Sequence, residues 1–185
     1  MIFPRVRLND GLKQGAPNGT KFTCNSTGYM TSETFRDWFC HFLKFTQPSK
    51  INPALLIIDG HSSHTKNLAF TEIARSNYVT VLVLPPHCSH KLQPLDVAFM
   101  GPFKQCYAGA VDSYLHQHPG KSIGQYNVSA LLGSAFLKVA NTSIAISGFM
   151  ASGIYPCDCT IFSDDAFAPA EVTDQQEATP DVRLG

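Results

Sequence analysis

The sequence predicts an α/β fold built around a parallel strand–helix–strand unit, and three observations carry that expectation. "LLIID", residues 55–59, is a continuous apolar run that stops on an acid. "YVTVLVL", residues 78–84, is a β-branched apolar run that stops at Pro85-Pro86. The stretch between them has the length of one short helix. A short continuous apolar run is the pattern of a strand covered on both faces. Two such strands joined by a helix within about thirty residues make a βαβ unit, whose strands lie parallel and adjacent.

The elements follow in order. "MIFPRVRL" reads as the end of a strand running into a basic loop, and residues 4–29, rich in Gly, Pro, Asn and Lys, read as loop. Thr31 or Ser32 caps a helix over 32–46, with Glu33 and Asp37 near its positive end. Phe35, Trp38, Phe39, Phe42 and Leu43 recur at helical spacing on that helix and are core candidates rather than base-stacking platforms. Pro48 to Pro53 is a linker. A strand over 54–59, a helix over 65–76 and a strand over 79–84 form the βαβ unit. The loop "PPHCSHKLQP" leads to a helix starting near Pro94, with Phe103, Tyr107, Val111 and Tyr114 on one face and Gly101-Pro102 kinking or restarting it. Residues 119–127 read as loop, Val128 to Ala140 as helix, and "SGFMASGIYPCDC" as irregular. From Ser163 onward six acids face one arginine. The expected division is therefore a folded domain over 1–162 and an acidic, disordered tail over 163–185.

Bulk properties exclude some functions. The formal net charge is zero, which argues against a dedicated, strongly basic DNA-binding module but not against an enzyme that meets DNA in one local groove. Six cysteines are scattered behind an N-terminus too short and polar for a secretory signal, so a reducing intracellular compartment is expected. No apolar run reaches membrane-spanning length, so no membrane is expected.

The chemistry concentrates where the first strand of the unit ends, in "DGHSSH", residues 59–64. Gly60-His61-Ser62 resembles the start of a nucleophile elbow, but the position that needs glycine for the sharp turn holds His64. Cys88, His90, His61 and His64 are zinc-type ligands whose spacing matches no common module. The third reading is a carboxylate pair for a divalent cation. Asp59 ends one strand, and Asp96 follows the next by a loop, in the first turn of a helix. In an open α/β sheet, sites form outside the carboxyl ends of adjacent strands, and hard cations take carboxylate oxygens. A strand-end turn for Asp59 and a helix N-terminal charge for Asp96 are the structural alternatives.

Four segments in order, "IFPR", "LLIIDGHSSH", "VTVLVLPPHCSHKLQPLDVAFMGPFK" and "SGFMASGIYP", together resemble the DDE superfamily endonuclease domain of pogo/Tigger-type transposases and of their jerky-like and centromere protein B relatives. The resemblance runs from Phe3 to about Pro169. It implies an RNase H-like fold, DNA as partner, Mg²⁺ or Mn²⁺ as cofactor, and metal-dependent cleavage and strand transfer in the nucleus. Asp59 matches the family's second catalytic and metal-binding acid, and Asp96 the third. His61, His64, His90 and Lys91 stand around them as candidate phosphate or DNA contacts.

The family's first acid lies on a strand upstream of "IFPR". The RNase H-like fold is therefore expected to be incomplete here, with its first strands and first acid missing. Neither Asp10 nor Asp158 matches that acid, though either is a conceivable third ligand. The strand over 54–59 would then present an open edge for a partner or a second copy to cover. A domesticated nuclear protein that acts through DNA or protein contacts without catalysis is the rival expectation.

Overall fold

Parallel pairing organises the chain twice. The computed structural model describes residues 1–167. Strand β1 (Ile2–Pro4) pairs in parallel with β2 (Thr23–Asn25), Ile2 opposite Thr23 and Pro4 opposite Asn25. Strand β3 (Ala54–Ile58) pairs in parallel with β4 (Val79–Val83), from Ala54 opposite Val79 to Ile58 opposite Val83. The expected βαβ unit is present. The stretch 4–29, read as loop, contains β2 and a 3-10 turn at Asp10–Lys13. Three residues of Thr-Cys-Asn are too few to carry a period-two signal.

Helix α1 (Ser32–Thr46) has the predicted bounds because its cap is reciprocal. The Thr31 hydroxyl accepts from the Thr34 N–H at 3.2 Å, and the Thr34 hydroxyl accepts from the Thr31 N–H at 2.7 Å. Its Phe35 and Phe39 are buried against Phe70 of α3 (Leu68–Ser76), with T-shaped ring contacts at 4.9 and 4.7 Å. Ile58, Ala74 and Val79 complete this core, with Trp38 and Phe42 half-buried at its margin. The single helix expected over 65–76 is split into α2 (Ser62–Thr65) and α3. Asn67 makes the break, since its side chain accepts from the Phe70 N–H at 3.1 Å and starts a new helix.

The β3–β4 pair departs from the expectation of burial on both faces. Ala54, Leu56 and Ile58 turn to the aromatic core with Val79 and Val81, whereas Leu55 is 55% exposed and Leu82 46%. The outer face opens on a cavity of about 800 Å³ lined by Leu55, Ile57, Leu95, Phe99, Phe136 and Phe149, among others. The continuous apolar run therefore serves two faces, one packed and one bordering open apolar space.

After β4 comes a short helix α4 (Ser89–Leu92), then a π turn (Leu95–Phe99) that leads into α5 (Met100–Gln117). The wider turn lies where Pro102 lacks an N–H and its ring would crowd the carbonyl four residues back. The predicted face of α5, Phe103, Tyr107, Val111 and Tyr114, is its half-buried face. Helix α6 (Gln125–Val139) starts three residues before the predicted Val128, because the Asn127 side chain caps it by accepting from the Gly124 N–H at 3.0 Å.

Helix α7 (Thr142–Ala151) runs into the segment read as irregular. Its Gly148 is a packing residue rather than a breaker, since a Cβ there would stand 2.8 Å from the Pro94 carbonyl oxygen. Asp164–Phe167 form a 3-10 turn, with the Phe167 ring 5.4 Å from that of Phe162. The rest of the acidic tail expected over 163–185 lies outside the described residues.

Two glycine substitutions test this packing. Gly109 in α5 has open space where a Cβ would sit, so Gly109→Ala is expected to stabilise the fold by about 0.5–1 kcal/mol. Gly133 in α6 lies against the Gly15 carbonyl, 2.1 Å from an added Cβ. Gly133→Ala is expected to cost about 1–3 kcal/mol. Urea unfolding of the two variants measures both signs, and a neutral Gly133→Ala would show that α6 does not rest on the 15–17 loop.

Candidate functional site at the end of strand β3

The register places Asp59 one residue beyond β3, level with Leu84, whose N–H donates to the Ile58 carbonyl at 2.8 Å. Gly60 follows, with the Leu84 carbonyl oxygen 3.9 Å from where its Cβ would be. The chain then turns into α2 and brings His64 back under Asp59. Nε2 of His64 lies 2.7 Å from Asp59 Oδ1 and 2.7 Å from the Asp59 backbone carbonyl. Both are acceptors, so Nε2 carries the proton and donates to both. The His61 N–H also donates to Oδ1, at 3.2 Å. Oδ1 is thus held twice, while the side chain as a whole remains 48% exposed.

His64 is itself held from behind. It is buried, its ring stands 4.7 Å from that of Phe35, and its Nδ1 lies 3.2 Å from the Ser63 hydroxyl. That hydroxyl also lies 2.9 Å from His61 Nδ1. Asp59, His64, Ser63 and exposed His61 therefore form one hydrogen-bonded cluster, anchored through Phe35 to the aromatic core. Ser63 and the Phe35 backing are the parts that sequence reasoning missed. The available signal was the five-residue step from Asp59 to His64 across a glycine turn, which is the step that lets one side chain reach the other.

The cluster bears on the competing chemistries. The connectivity Ser63–His64–Asp59 is that of a nucleophilic relay, but the Ser63 hydroxyl is buried between two imidazoles, out of reach of a substrate. The Ser62 side chain lies outside the described residues. Among the described residues no three His, Cys, Asp or Glu are arranged to hold a metal ion, so Cys88, His90, His61 and His64 do not make a zinc site. Cys88 is buried on its own.

Asp96 sits in the first turn of the π segment, exposed, its N–H donating to the Gln93 carbonyl at 3.0 Å. His90, exposed, and Lys91, half-buried, lie on α4 just before it. Among the described residues no hydrogen bond or ion pair joins Asp96, His90 or Lys91 to the Asp59 cluster. Asp59 and Asp96 offer the hard oxygen donors that Mg²⁺ or Mn²⁺ takes. The other acids considered are committed locally. Lys13, 2.7 Å from Asp10, holds that carboxyl below its ordinary range. Asp158 is held low by the Thr160 hydroxyl at 2.7 Å and the Thr160 N–H at 2.8 Å.

The cluster predicts an asymmetry between two substitutions. His64→Ala leaves Asp59 without its ring donor and is expected to cost about 1–3 kcal/mol. His64→Gln restores an amide donor at similar reach and is expected to cost clearly less. Urea titration of both variants checks this, and equal losses would show that ring packing on Phe35, not the hydrogen bond, is what matters.

Comparison with known proteins finds one family model that matches most of the chain. The model of a family described as DDE superfamily endonuclease matches residues 5–149. A protein of Cochliobolus lunatus called "MFS-type transporter clz9" is 29% identical over 150 residues, which are 80% of this chain and 16% of that protein. The chain thus spans about a sixth of that relative's length. Among the described residues no single helix is long and apolar enough to cross a membrane, and the one pair that qualifies jointly, α6 with α7, is bent by 73°. No solved structure matches. With the family match covering most of its length, the chain belongs to the DDE superfamily endonucleases.

Proposed function

We propose that this chain is a transposase-derived domain of RNase H-like, pogo/Tigger-type ancestry that acts on DNA in the nucleus, and that its inherited chemistry is metal-dependent strand cleavage and transfer at Asp59 and Asp96. The observation that carries this reading is the state of Asp59. It stands at the carboxyl end of a parallel βαβ unit, where such sheets place their sites. One oxygen is fixed by His64 and His61, and the side chain is half open to solvent. A carboxylate oriented in this way loses little freedom on taking up a ligand. A bound Mg²⁺ or Mn²⁺ would supply charge neutralisation at the phosphate and activation of the attacking oxygen. The chain's own residues supply two carboxylates for it, with Lys91 and His90 near Asp96 as phosphate contacts.

A second reading has its own support. Among the described residues no three His, Cys, Asp or Glu are grouped to hold a metal ion. Cleavage of this kind rests on positioning and charge neutralisation, so a pair of acids favours a domesticated domain that binds DNA or protein more than it cuts. The outer edge of β3, which has no strand partner among the described residues and borders an apolar cavity, supports a partner or second copy that covers it.

Supercoiled-plasmid nicking and Mn²⁺ binding together test the proposal. The chain alone is expected to nick plasmid with Mg²⁺ or Mn²⁺ several orders of magnitude below a complete site, at about tenfold per 1.36 kcal/mol of lost stabilisation. Weak Mn²⁺ binding, followed by electron paramagnetic resonance, is expected to fall in Asp59→Asn and in Asp96→Asn. Mn²⁺ binding that neither substitution alters would remove these carboxylates from the metal site. Strong nicking abolished by both would show that a third ligand completes the site.

A further inference from the structure

We propose that the loop Arg5–Asp10, immediately after β1, is a docking cradle for the phosphodiester backbone of DNA. It rests on the reading of DNA as the partner, and it involves none of the residues placed at the Asp59 site.

The first observation is charge. The zero net charge of the chain is the sum of two unlike parts. Residues 1–162 carry thirteen Lys and Arg against eight Asp and Glu, while residues 163–185 carry one arginine against six acids. Residues 1–162 are therefore basic, and the first thirty hold Arg5, Arg7, Lys13 and Lys21 against Asp10 alone. The one acid is already paired, with Lys13 at 2.7 Å. Arg5 and Arg7 have no carboxylate partner among the described residues.

The second observation is shape and preorganisation. The loop encloses an open depression of about 690 Å³ lined by Arg5, Val6, Arg7, Leu8, Asn9 and Asp10. Arg5 is held in place at its rim. Its guanidinium lies 5.5 Å from the centre of the Tyr126 ring, and its Nη1 donates to the Tyr126 hydroxyl at 3.2 Å. Tyr126 is braced in turn by the backbone of Gly11, where an added Cβ would stand 3.2 Å from the ring. One guanidinium donor is spent on this anchor, and the others have no hydrogen-bond partner among the described residues. A planar fork of this kind suits phosphate oxygens. The backbone N–H groups of Val6, Arg7 and Leu8 have no backbone acceptor among the described residues, so the loop adds further donors. Val6, 92% exposed, offers nothing for a base to read. Contacts of this sort position a duplex without specifying its sequence.

The test is fluorescence anisotropy with a labelled duplex of arbitrary sequence, over a salt series and without divalent metal. The full chain is expected to bind with an affinity that falls steeply with salt. Arg7→Gln and Arg5→Gln are each expected to weaken binding by roughly tenfold at low salt and to lower the log–log salt slope by about 0.9. Lys121→Gln, an exposed charge elsewhere, is expected to leave the slope close to that of the parent. Arg7 makes no described side-chain contact, so its variant keeps the test valid if Arg5→Gln unfolds. A parent chain that does not bind duplex at low salt would overturn the reading of DNA as partner, and the cradle with it. Equal losses in Lys121→Gln and Arg7→Gln would reduce the cradle to general surface attraction and overturn it. Unchanged binding in both arginine variants would overturn it while leaving DNA as partner. Inorganic phosphate that displaces the duplex at equal ionic strength, where chloride does not, would show an ordinary anion site and overturn the assignment to a phosphodiester.

Discussion

Five residue pairs, Ala54 with Val79 through Ile58 with Val83, fix where the rest of the chain can act. A parallel ladder cannot be closed by a tight turn and needs a crossover of a dozen or more residues. The crossover supplies α2 and α3, and it is the start of that crossover that holds the candidate site. Because the register ends at Ile58, Asp59 is the first residue free of the ladder, and Gly60 is the first that can turn. A slip of one residue would send Asp59 to the opposite face, away from His64.

The same crossover ties the site to the core. Phe35 touches Phe70 on one side and the His64 ring on another. Aromatic contacts of this kind contribute about 0.5–1.5 kcal/mol each beyond the area they bury. The orientation of Asp59 is therefore a consequence of how α1 packs on α3 as much as of local sequence. A buried histidine with both ring nitrogens engaged is a stiff support for the Asp59 carboxylate.

Charge is arranged on a larger scale and by different means. The acidic stretch from 163 onward cancels the basic character of residues 1–162 in the total, so net charge gives a poor account of what residues 1–162 present to a polyanion. Position matters more than sum, because exposed charges more than about 8–10 Å apart are largely screened from one another at physiological salt.

By itself the sequence determined the βαβ unit, the bounds of α1, the apolar face of α5 and the placement of Asp59 at a strand end. Each rests on a local pattern, either a run of β-branched residues or a helical stripe with its cap, and such patterns are expressed before any long-range contact forms. Tertiary structure decided the rest. It made Gly148 and Gly133 contact points inside helices rather than breakers, since close approach of another backbone is invisible in a single sequence. It left Leu55 and Leu82 exposed in runs apolar enough for burial on both faces, because hydrophobicity records what a surface can bury and not whether a neighbour is present. It also turned His64 inward to hold Asp59, where the residue order alone allowed it to face solvent, because the cavity behind it is shaped by Phe35 from a helix some thirty residues earlier.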